Sequence, residues 1–143
     1  MNPTVLIAEG DGELRDIYQR FLAARGYAVE TAADGLDCLE KLRRQRAAVL
    51  VLDWEIRWGG GDGVLAWLRE QQAGAGVSVV LTATAGDSVD AGEDLEPPVV
   101  TFLPKPFALT ALLASVRAAA AEKGRQDPFD LNRTVAHSEL YIG

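Results

Sequence analysis

The sequence predicts an α/β protein built on a parallel β-sheet with helices on both faces. Short apolar runs alternate along the chain with longer segments whose apolar residues recur at helical spacing, the pattern of repeated β–α units. The most apolar run, residues 49–52, contains no polar residue and ends at Asp53. An uninterrupted apolar strand is typical of the middle of a parallel sheet, because both of its faces are covered.

Residues 4–31 predict the first strand–helix–strand unit. The apolar run at 4–8 suits a strand, and the helix after it begins at Glu13. The apolar face of this helix consists of Leu14, Ile17, Tyr18, Phe21 and Leu22. Gly26 suits the position that follows a helix, and residues 27–31 are predicted to form the second strand.

Two further helices flank the central strand, which is predicted at 49–53. The second helix is predicted at 35–46, where a basic last turn complements the helix dipole. Its inward residues are Leu36, Leu39 and Leu42. The third helix is predicted at 62–72, with Asp62 as a candidate N-cap. Its buried residues are Val64, Leu65 and Leu68.

The last two strands and a long helix complete the domain. The strands are predicted at 77–81 and 99–103. Between them, residues 84–98 hold two glycines, five acids and a Pro-Pro pair, which favours a short or irregular fourth helix. The final helix ends near Gly124, and its apolar stripe is Leu109, Leu112, Leu113, Val116 and Ala120.

The chain length of 143 residues suits one domain, which we predict over 1–123. Residues 124–143 lack a core stripe and are predicted to be a polar C-terminal linker or tail, with a candidate strand near 134–142. A chain that stops at Gly143 could also be the cut end of a longer protein.

Composition and charge exclude several function classes. The net charge of −7 argues against nucleic-acid contact by this domain, because phosphate binding needs clustered Lys and Arg. No apolar run approaches the roughly 20 residues of a membrane span, and the first strand starts too early for a signal peptide. The single cysteine, Cys38, excludes an internal disulfide and fits a reducing compartment. We therefore expect a cytoplasmic protein with no membrane contact.

Polar residues follow four of the five predicted strands. They are Glu9, Asp53, Thr82 and Lys105. Because the carboxyl ends of parallel strands meet at one edge of a sheet, we expect two acids, a hydroxyl and an amine to converge there. Open α/β sheets place their ligand sites at this edge.

This pattern resembles the receiver domain of bacterial two-component response regulators, over about residues 5–123. The most specific matches are Val-Leu-Asp at 51–53, Leu-Thr-Ala at 81–83 and Leu-Pro-Lys-Pro-Phe at 103–107. The resemblance implies a flavodoxin-like (βα)5 three-layer sandwich with sheet order 2-1-3-4-5. It also implies a non-enzymatic signalling domain whose partners are a sensor histidine kinase or phosphotransfer protein and a downstream effector protein or domain.

The resemblance assigns roles to the residues at the sheet edge. Asp53 would be the phosphoacceptor, Lys105 would pair with its carboxylate and then with a phosphoryl oxygen, and Thr82 would bond another oxygen. Phe102 matches the aromatic switch position, although a fixed core residue is an equal alternative. The Lys105–Pro106 bond matches a bond that is cis in the family.

A Mg²⁺ site is also implied, held by Asp53, the backbone carbonyl of Glu55 and acids after the first strand. Glu9 is either one of those acids, contributing to the metal site, or only a salt-bridge partner of Lys105. The sequence departs from the family at Gly10, where a second acid is usual. Asp11 follows but should point differently.

The loop at 54–61 also departs from the family pattern, because it is longer, lacks the usual proline and contains two tryptophans. In it, Arg57 could supply a positive charge in place of the metal.

Three functions stay open from the sequence. The first is a receiver, phosphorylated on Asp53, that switches an interaction face and could form a homodimer through that face. The second is a pseudo-receiver that acts as a phosphorylation-independent interaction module, which Gly10 and the 54–61 loop favour. The third is an unrelated flavodoxin-like enzyme, disfavoured because no Ser- and Thr-rich phosphate loop follows the first strand.

Overall fold

The computed structural model describes residues 4–71 and 76–126, with side chains through residue 122. Its five strands are β1 (Thr4–Ala8), β2 (Ala28–Ala32), β3 (Val49–Asp53), β4 (Ser78–Ala83) and β5 (Val99–Pro104). Its helices are α1 (Gly12–Ala23), α2 (Gly35–Arg44), α3 (Gly60–Gln71) and α4 (Leu109–Gln126). Each predicted strand is present within two residues of its predicted bounds.

The strands form one parallel sheet in the order β2-β1-β3-β4-β5, which confirms the predicted order. Strand β3 lies in the middle, between β1 and β4, and all five of its residues are buried. In the register of β3 with β4, Asp53 lies opposite Thr82. The two polar residues at the ends of these strands are therefore neighbours.

The alternation of side chains along β3 divides the core into two layers. Leu50 and Leu52 pack with α2 and α3, in a cluster that includes Cys38, Leu65 and Leu68. Val49 and Val51 pack with α1 and α4, in a cluster that includes Leu22, Leu112 and Val116. Each fully buried aliphatic side chain contributes about 1.5–3 kcal/mol, so these two layers hold the carboxyl edge of β3 in place from both sides.

Helix α1 begins one residue earlier than predicted, at Gly12. Asp11 is its N-cap, and its Oδ1 accepts the backbone N–H groups of Glu13 at 2.9 Å and Leu14 at 3.2 Å. Gly26 has a φ of 95° in the turn after the helix, a left-handed conformation that glycine adopts at little cost.

The prediction that Leu36 faces inward is wrong, because its side chain is 61% exposed. Helix α2 starts at Gly35, and the residues that follow it at helical spacing, Cys38 and Leu42, form the inward face. Leu36 lies about 100° around the helix from Gly35, outside that stripe. The helix also ends at Arg44, two residues earlier than predicted.

Helix α3 begins at Gly60, so Asp62 lies in its first turn and is not the N-cap. Gly61 makes the early start possible, because its backbone lies against Trp54. A Cβ at Gly61 would be 2.8 Å from the Trp54 Cα, and the Gly61 N–H donates to the Trp54 carbonyl at 2.8 Å. The predicted burial of Val64, Leu65 and Leu68 is confirmed.

The connection from β4 to β5 contains turns and no helix over residues 84–98. The sequence predicts a short or irregular helix here, and the structure has no helix in this connection. Side chains accept backbone N–H groups that carbonyl oxygens would accept in a helix. Asp90 Oδ1 accepts the N–H groups of Gly92 and Glu93. Arg69 of α3 donates to the carbonyls of Asp94, Glu96 and Pro97, which ties the connection to the helix layer.

Helix α4 extends through Gln126, just beyond the predicted end near Gly124. Most of the predicted tail, including the candidate strand near 134–142, lies outside the described residues. Within the described ranges, no helix is both long enough and apolar enough to span a bilayer.

Candidate functional site

The four polar residues at the strand ends come together, as the sequence predicted. The Lys105 Nζ lies 2.7 Å from Glu9 Oε1 and 3.5 Å from Asp53 Oδ1. Glu9 and Asp53 are only 3% and 8% exposed. The site is therefore a partly buried ammonium shared between two buried carboxylates, with the buried Thr82 beside Asp53.

Lys105 reaches the acids because β5 carries its backbone to the edge of the sheet. The Lys105 N–H donates to the Ala83 carbonyl at 2.7 Å, which extends the pairing of β4 and β5 by one residue. The Lys105–Pro106 bond is cis, as the family resemblance implied. Lys105 directly follows β5, and its Nζ lies 3.5 Å from Asp53 Oδ1.

Asp53 presents one oxygen to the protein and one to the cleft. Its Oδ1 accepts the Glu55 N–H at 3.2 Å and lies near Lys105. Among the described residues, no hydrogen bond or ion pair involves its Oδ2. Asp53 also lines an open cleft of about 770 Å³, whose wall includes Asp34, Arg57 and Trp58. A second molecule can approach the acid from this side.

The charges at the site depend strongly on one another. Burial alone would lower the pKa of Lys105, but the hydrogen bond to Glu9 and the charges of Glu9 and Asp53 outweigh burial and raise it. Burial raises the pKa of Glu9, against the opposing effects of Lys105 and the Asp11 N–H. We conclude that the lysine is firmly protonated and is the main counter-charge for both acids.

Thr82 lies opposite Asp53 in the sheet, and Phe102 lies on the neighbouring strand β5. The Thr82 Oγ1 donates to the Leu52 carbonyl at 3.4 Å, a long hydrogen bond that points away from the cleft. Phe102 is 37% exposed on β5. This exposure does not support the alternative in which Phe102 is a fixed core residue.

The acids after β1 do not form the expected metal set. Glu9 uses both oxygens, Oε1 with Lys105 and Oε2 with the Asp11 N–H at 3.0 Å. The Asp11 Oδ1 caps α1 by accepting the N–H groups of Glu13 and Leu14, and Gly10 has no side chain. Nowhere in the described residues do three acids, histidines or cysteines gather in a way that could hold a metal ion. The donors present therefore do not fit the usual Mg²⁺ site.

The 54–61 loop is held beside the cleft by the start of α2. The Gly35 N–H donates to the Arg57 carbonyl at 2.7 Å, and a Cβ at Gly35 would lie 2.1 Å from the Trp58 carbonyl oxygen. Only glycine allows this contact. Trp58, with a φ of 62°, leaves its side chain 67% exposed at the mouth of the cleft.

Two contacts at the site could not be predicted from the sequence pattern. The Arg15 guanidinium donates to the Glu9 carbonyl at 2.9 Å, which fixes the chain after β1. The Asp87 carboxylate lies beside the Glu55 carboxyl and raises the pKa of Glu55. Asp87 also accepts the Thr84 N–H at 2.7 Å, so the loops after β3 and β4 are joined at the cleft.

The model of the response regulator receiver domain family matches residues 5–117. The response regulator MprA of Mycobacterium leprae (strain TN) is 36% identical over 141 residues, covering 94% of this chain and 57% of that protein. MprA of Mycobacterium tuberculosis (strain ATCC 25618 / H37Rv) is 37% identical over 126 residues, with 82% and 50% covered. The chain thus spans about half the length of these relatives.

Solved structures agree on the fold. A CheY-like response regulator receiver domain protein from Methanospirillum hungatei JF-1 aligns with a TM-score of 0.78, covering 89% of this chain and all of that one, at 18% identity. At such low identity the likeness concerns the fold alone. Together with the family match, the sheet order and the acids gathered at its carboxyl edge lead to one conclusion: this chain belongs to the response regulator receiver domain family of two-component signalling, whose general function is to accept a phosphoryl group.

Proposed function

We propose that Asp53 is the residue of this receiver that accepts the phosphoryl group. The main support for this proposal is that the two oxygens of the Asp53 carboxylate have different surroundings. One oxygen is held by the Glu55 N–H and Lys105, while the other is uncommitted and next to an open cleft. A nucleophile must be both fixed and accessible, and Asp53 meets both requirements.

The donor in this proposal is a phosphohistidine on a sensor histidine kinase or phosphotransfer protein. The free Asp53 oxygen attacks the phosphorus, so the new P–O bond forms as the P–N bond to histidine breaks. Lys105 then pairs with a phosphoryl oxygen and neutralises the added charge. The lysine is already aligned, because Glu9 holds its ammonium at 2.7 Å.

Thr82 reports the phosphoryl group in this proposal. Its present bond to the Leu52 carbonyl is long, at 3.4 Å. A neutral hydrogen bond contributes about 1 kcal/mol and one to a charged oxygen about 1.5–3 kcal/mol, so exchanging the first for the second favours the turned hydroxyl. The vacated space then admits Phe102 from its exposed position, and the face formed by the 84–98 connection, β5 and α4 changes shape.

The changed face is the surface for a downstream effector protein or domain, or for a second copy of this chain in a homodimer. The proposed receiver spans residues 1–123, and the tail that follows would connect it to an effector. The domain acts as the substrate of a kinase rather than as an enzyme itself, and it makes no nucleic-acid contact.

Incubation with acetyl phosphate and Mg²⁺, followed by intact mass measurement, tests the acceptor. We expect the mass of one phosphoryl group to be added to the wild type and to Asp62→Asn, an exposed acid on α3. We expect no addition to Asp53→Asn. If the wild type gains nothing, or Asp53→Asn gains as much, Asp53 is not the acceptor, and the pseudo-receiver becomes the better description.

A further inference from the structure

We propose that the Asp53 cleft is an incomplete metal site, in which Gly10 withholds a carboxylate and the positive charge beside Asp53 comes chiefly from Lys105 and Arg57. This inference rests on the proposed acceptor role of Asp53 and deepens it. It predicts a receiver that binds Mg²⁺ weakly, because position 10 lacks a carboxylate and the charge of Arg57 repels the cation.

Position 10 is the natural place for the missing ligand. It directly follows Glu9, whose carboxylate already points to Lys105, and it lines the same cleft as Asp53. A Cβ built on Gly10 meets nothing within 4 Å, and its φ is not in the left-handed range. The backbone therefore does not require glycine here, and an aspartate would fit without displacing a neighbour.

No nearby acid can take over from position 10. The Asp11 Oδ1 caps α1 by accepting two backbone N–H groups, so turning this carboxylate toward a cation would give up the cap of that helix. Glu9 would have to give up Lys105 to bind a cation. Only Asp53 and the Glu55 carbonyl remain, whereas Mg²⁺ needs near-octahedral oxygen coordination and dehydrates reluctantly.

Arg57 is placed to contribute the second positive charge. Its carbonyl accepts the Gly35 N–H at 2.7 Å, and the residue lines the same cleft as Asp53. None of the salt bridges formed by the described residues involves Arg57. Its guanidinium is therefore uncompensated at the edge of a pocket where a phosphoryl group would bring negative charge.

Mg²⁺ titration followed by tryptophan fluorescence, on unphosphorylated protein with no phosphodonor, tests Gly10. Trp58 borders the cleft and supplies the signal. Loss of even an indirect metal partner typically weakens affinity 10–100-fold, so we expect Gly10→Asp to bind Mg²⁺ at least about tenfold more tightly than the wild type. Gly63→Asp, a carboxylate added at an open position on α3, should bind like the wild type. Equal affinities for the wild type and Gly10→Asp would overturn the proposal.

Arg57→Gln tests the second charge, with Arg43→Gln as the matched surface control. We expect Arg57→Gln to slow phosphoryl incorporation from acetyl phosphate by about two- to fivefold, the range of an exposed charge interaction. We also expect it to tighten Mg²⁺ binding, since a repelling charge is gone. Opposite changes in these two readouts would not follow from unfolding, and no change in either would overturn the role of Arg57.

The two proposals fail in different ways. If the wild type takes up no phosphoryl group at all, the acceptor role of Asp53 fails. The Mg²⁺ titrations of the wild type, Gly10→Asp and Arg57→Gln still decide whether position 10 and Arg57 set the metal affinity.

Discussion

The contact between α2 and the loop beside the cleft predicts an unusual response to a glycine-to-alanine substitution. In Gly35→Ala the new Cβ would lie 2.1 Å from the Trp58 carbonyl oxygen and 3.1 Å from the Arg57 carbonyl oxygen. Both atoms are backbone, so no side-chain rotation relieves the overlap. Either α2 or the loop must move.

The magnitude follows from three terms. Overpacking in a closely packed region costs about 1–3 kcal/mol. Displacing the loop also loses the Gly35 to Arg57 hydrogen bond of 2.7 Å, a contribution of about 1 kcal/mol. Alanine has a higher helix propensity than glycine, which offsets up to about 1 kcal/mol of this loss of stability. We therefore expect Gly35→Ala to lower the free energy of unfolding by about 1–3 kcal/mol.

Urea unfolding monitored by far-UV circular dichroism measures this change, and Gly63→Ala is the control. Gly63 lies in α3, where a Cβ meets nothing within 4 Å. The same chemical substitution should there raise stability by about 0.5–1 kcal/mol. The two variants are thus expected to differ in sign. If Gly35→Ala is as stable as the wild type or more so, the loop does not rest on α2 as described.

Three further predictions concern the site, the core and the pH range. Glu9→Gln should lower stability by about 1–3 kcal/mol, less than the 3–5 kcal/mol of a fully orphaned buried charge, because Asp53 remains beside Lys105; equal urea midpoints would contradict it. Leu50→Ala, in the middle of β3, should cost about 2–5 kcal/mol in the same assay, and a loss below 1 kcal/mol would contradict the two-layer core. Burial raises the pKa of Cys38 from 9.0 to about 12, so the neutral thiol stabilises the fold fully below pH 9. This contribution of at most about 4 kcal/mol should be lost as pH rises toward 12, and Cys38→Ala should show a shallower decline over that range.

Much of the fold could be predicted from the sequence because its strands are short, apolar and punctuated by polar residues. Strand β3 is an example: four aliphatic residues followed by an acid define both its burial and its end. The convergence of Glu9, Asp53 and Lys105 followed from parallel topology, although Glu9 and Lys105 are 96 positions apart.

The features that could not be predicted depend on contacts between distant backbone segments. Leucine spacing alone predicts that Leu36 faces inward. It does not show that Gly35, which lies against the 54–61 loop, is at the centre of the buried face. The connection at 84–98 contains no helix because its backbone groups bond to the side chains of Asp90 and Arg69. Such bonds produce no periodic pattern in the sequence. The Glu55 to Asp87 contact likewise joins two loops that carry no pattern.

If Asp53 accepts the phosphoryl group as proposed, the position of Lys105 explains how one lysine can serve the site both before and after phosphorylation. Its ammonium is closer to Glu9, at 2.7 Å, than to Asp53, at 3.5 Å. Glu9 therefore takes most of the hydrogen bonding from the lysine and leaves the Asp53 carboxylate less neutralised, hence more nucleophilic. When a phosphoryl group adds negative charge at Asp53, the same ammonium can strengthen its pairing on that side without a large movement. Glu9 thus acts as a tether that keeps the lysine protonated and in reach, a role in which its carboxylate is not free to hold a metal ion.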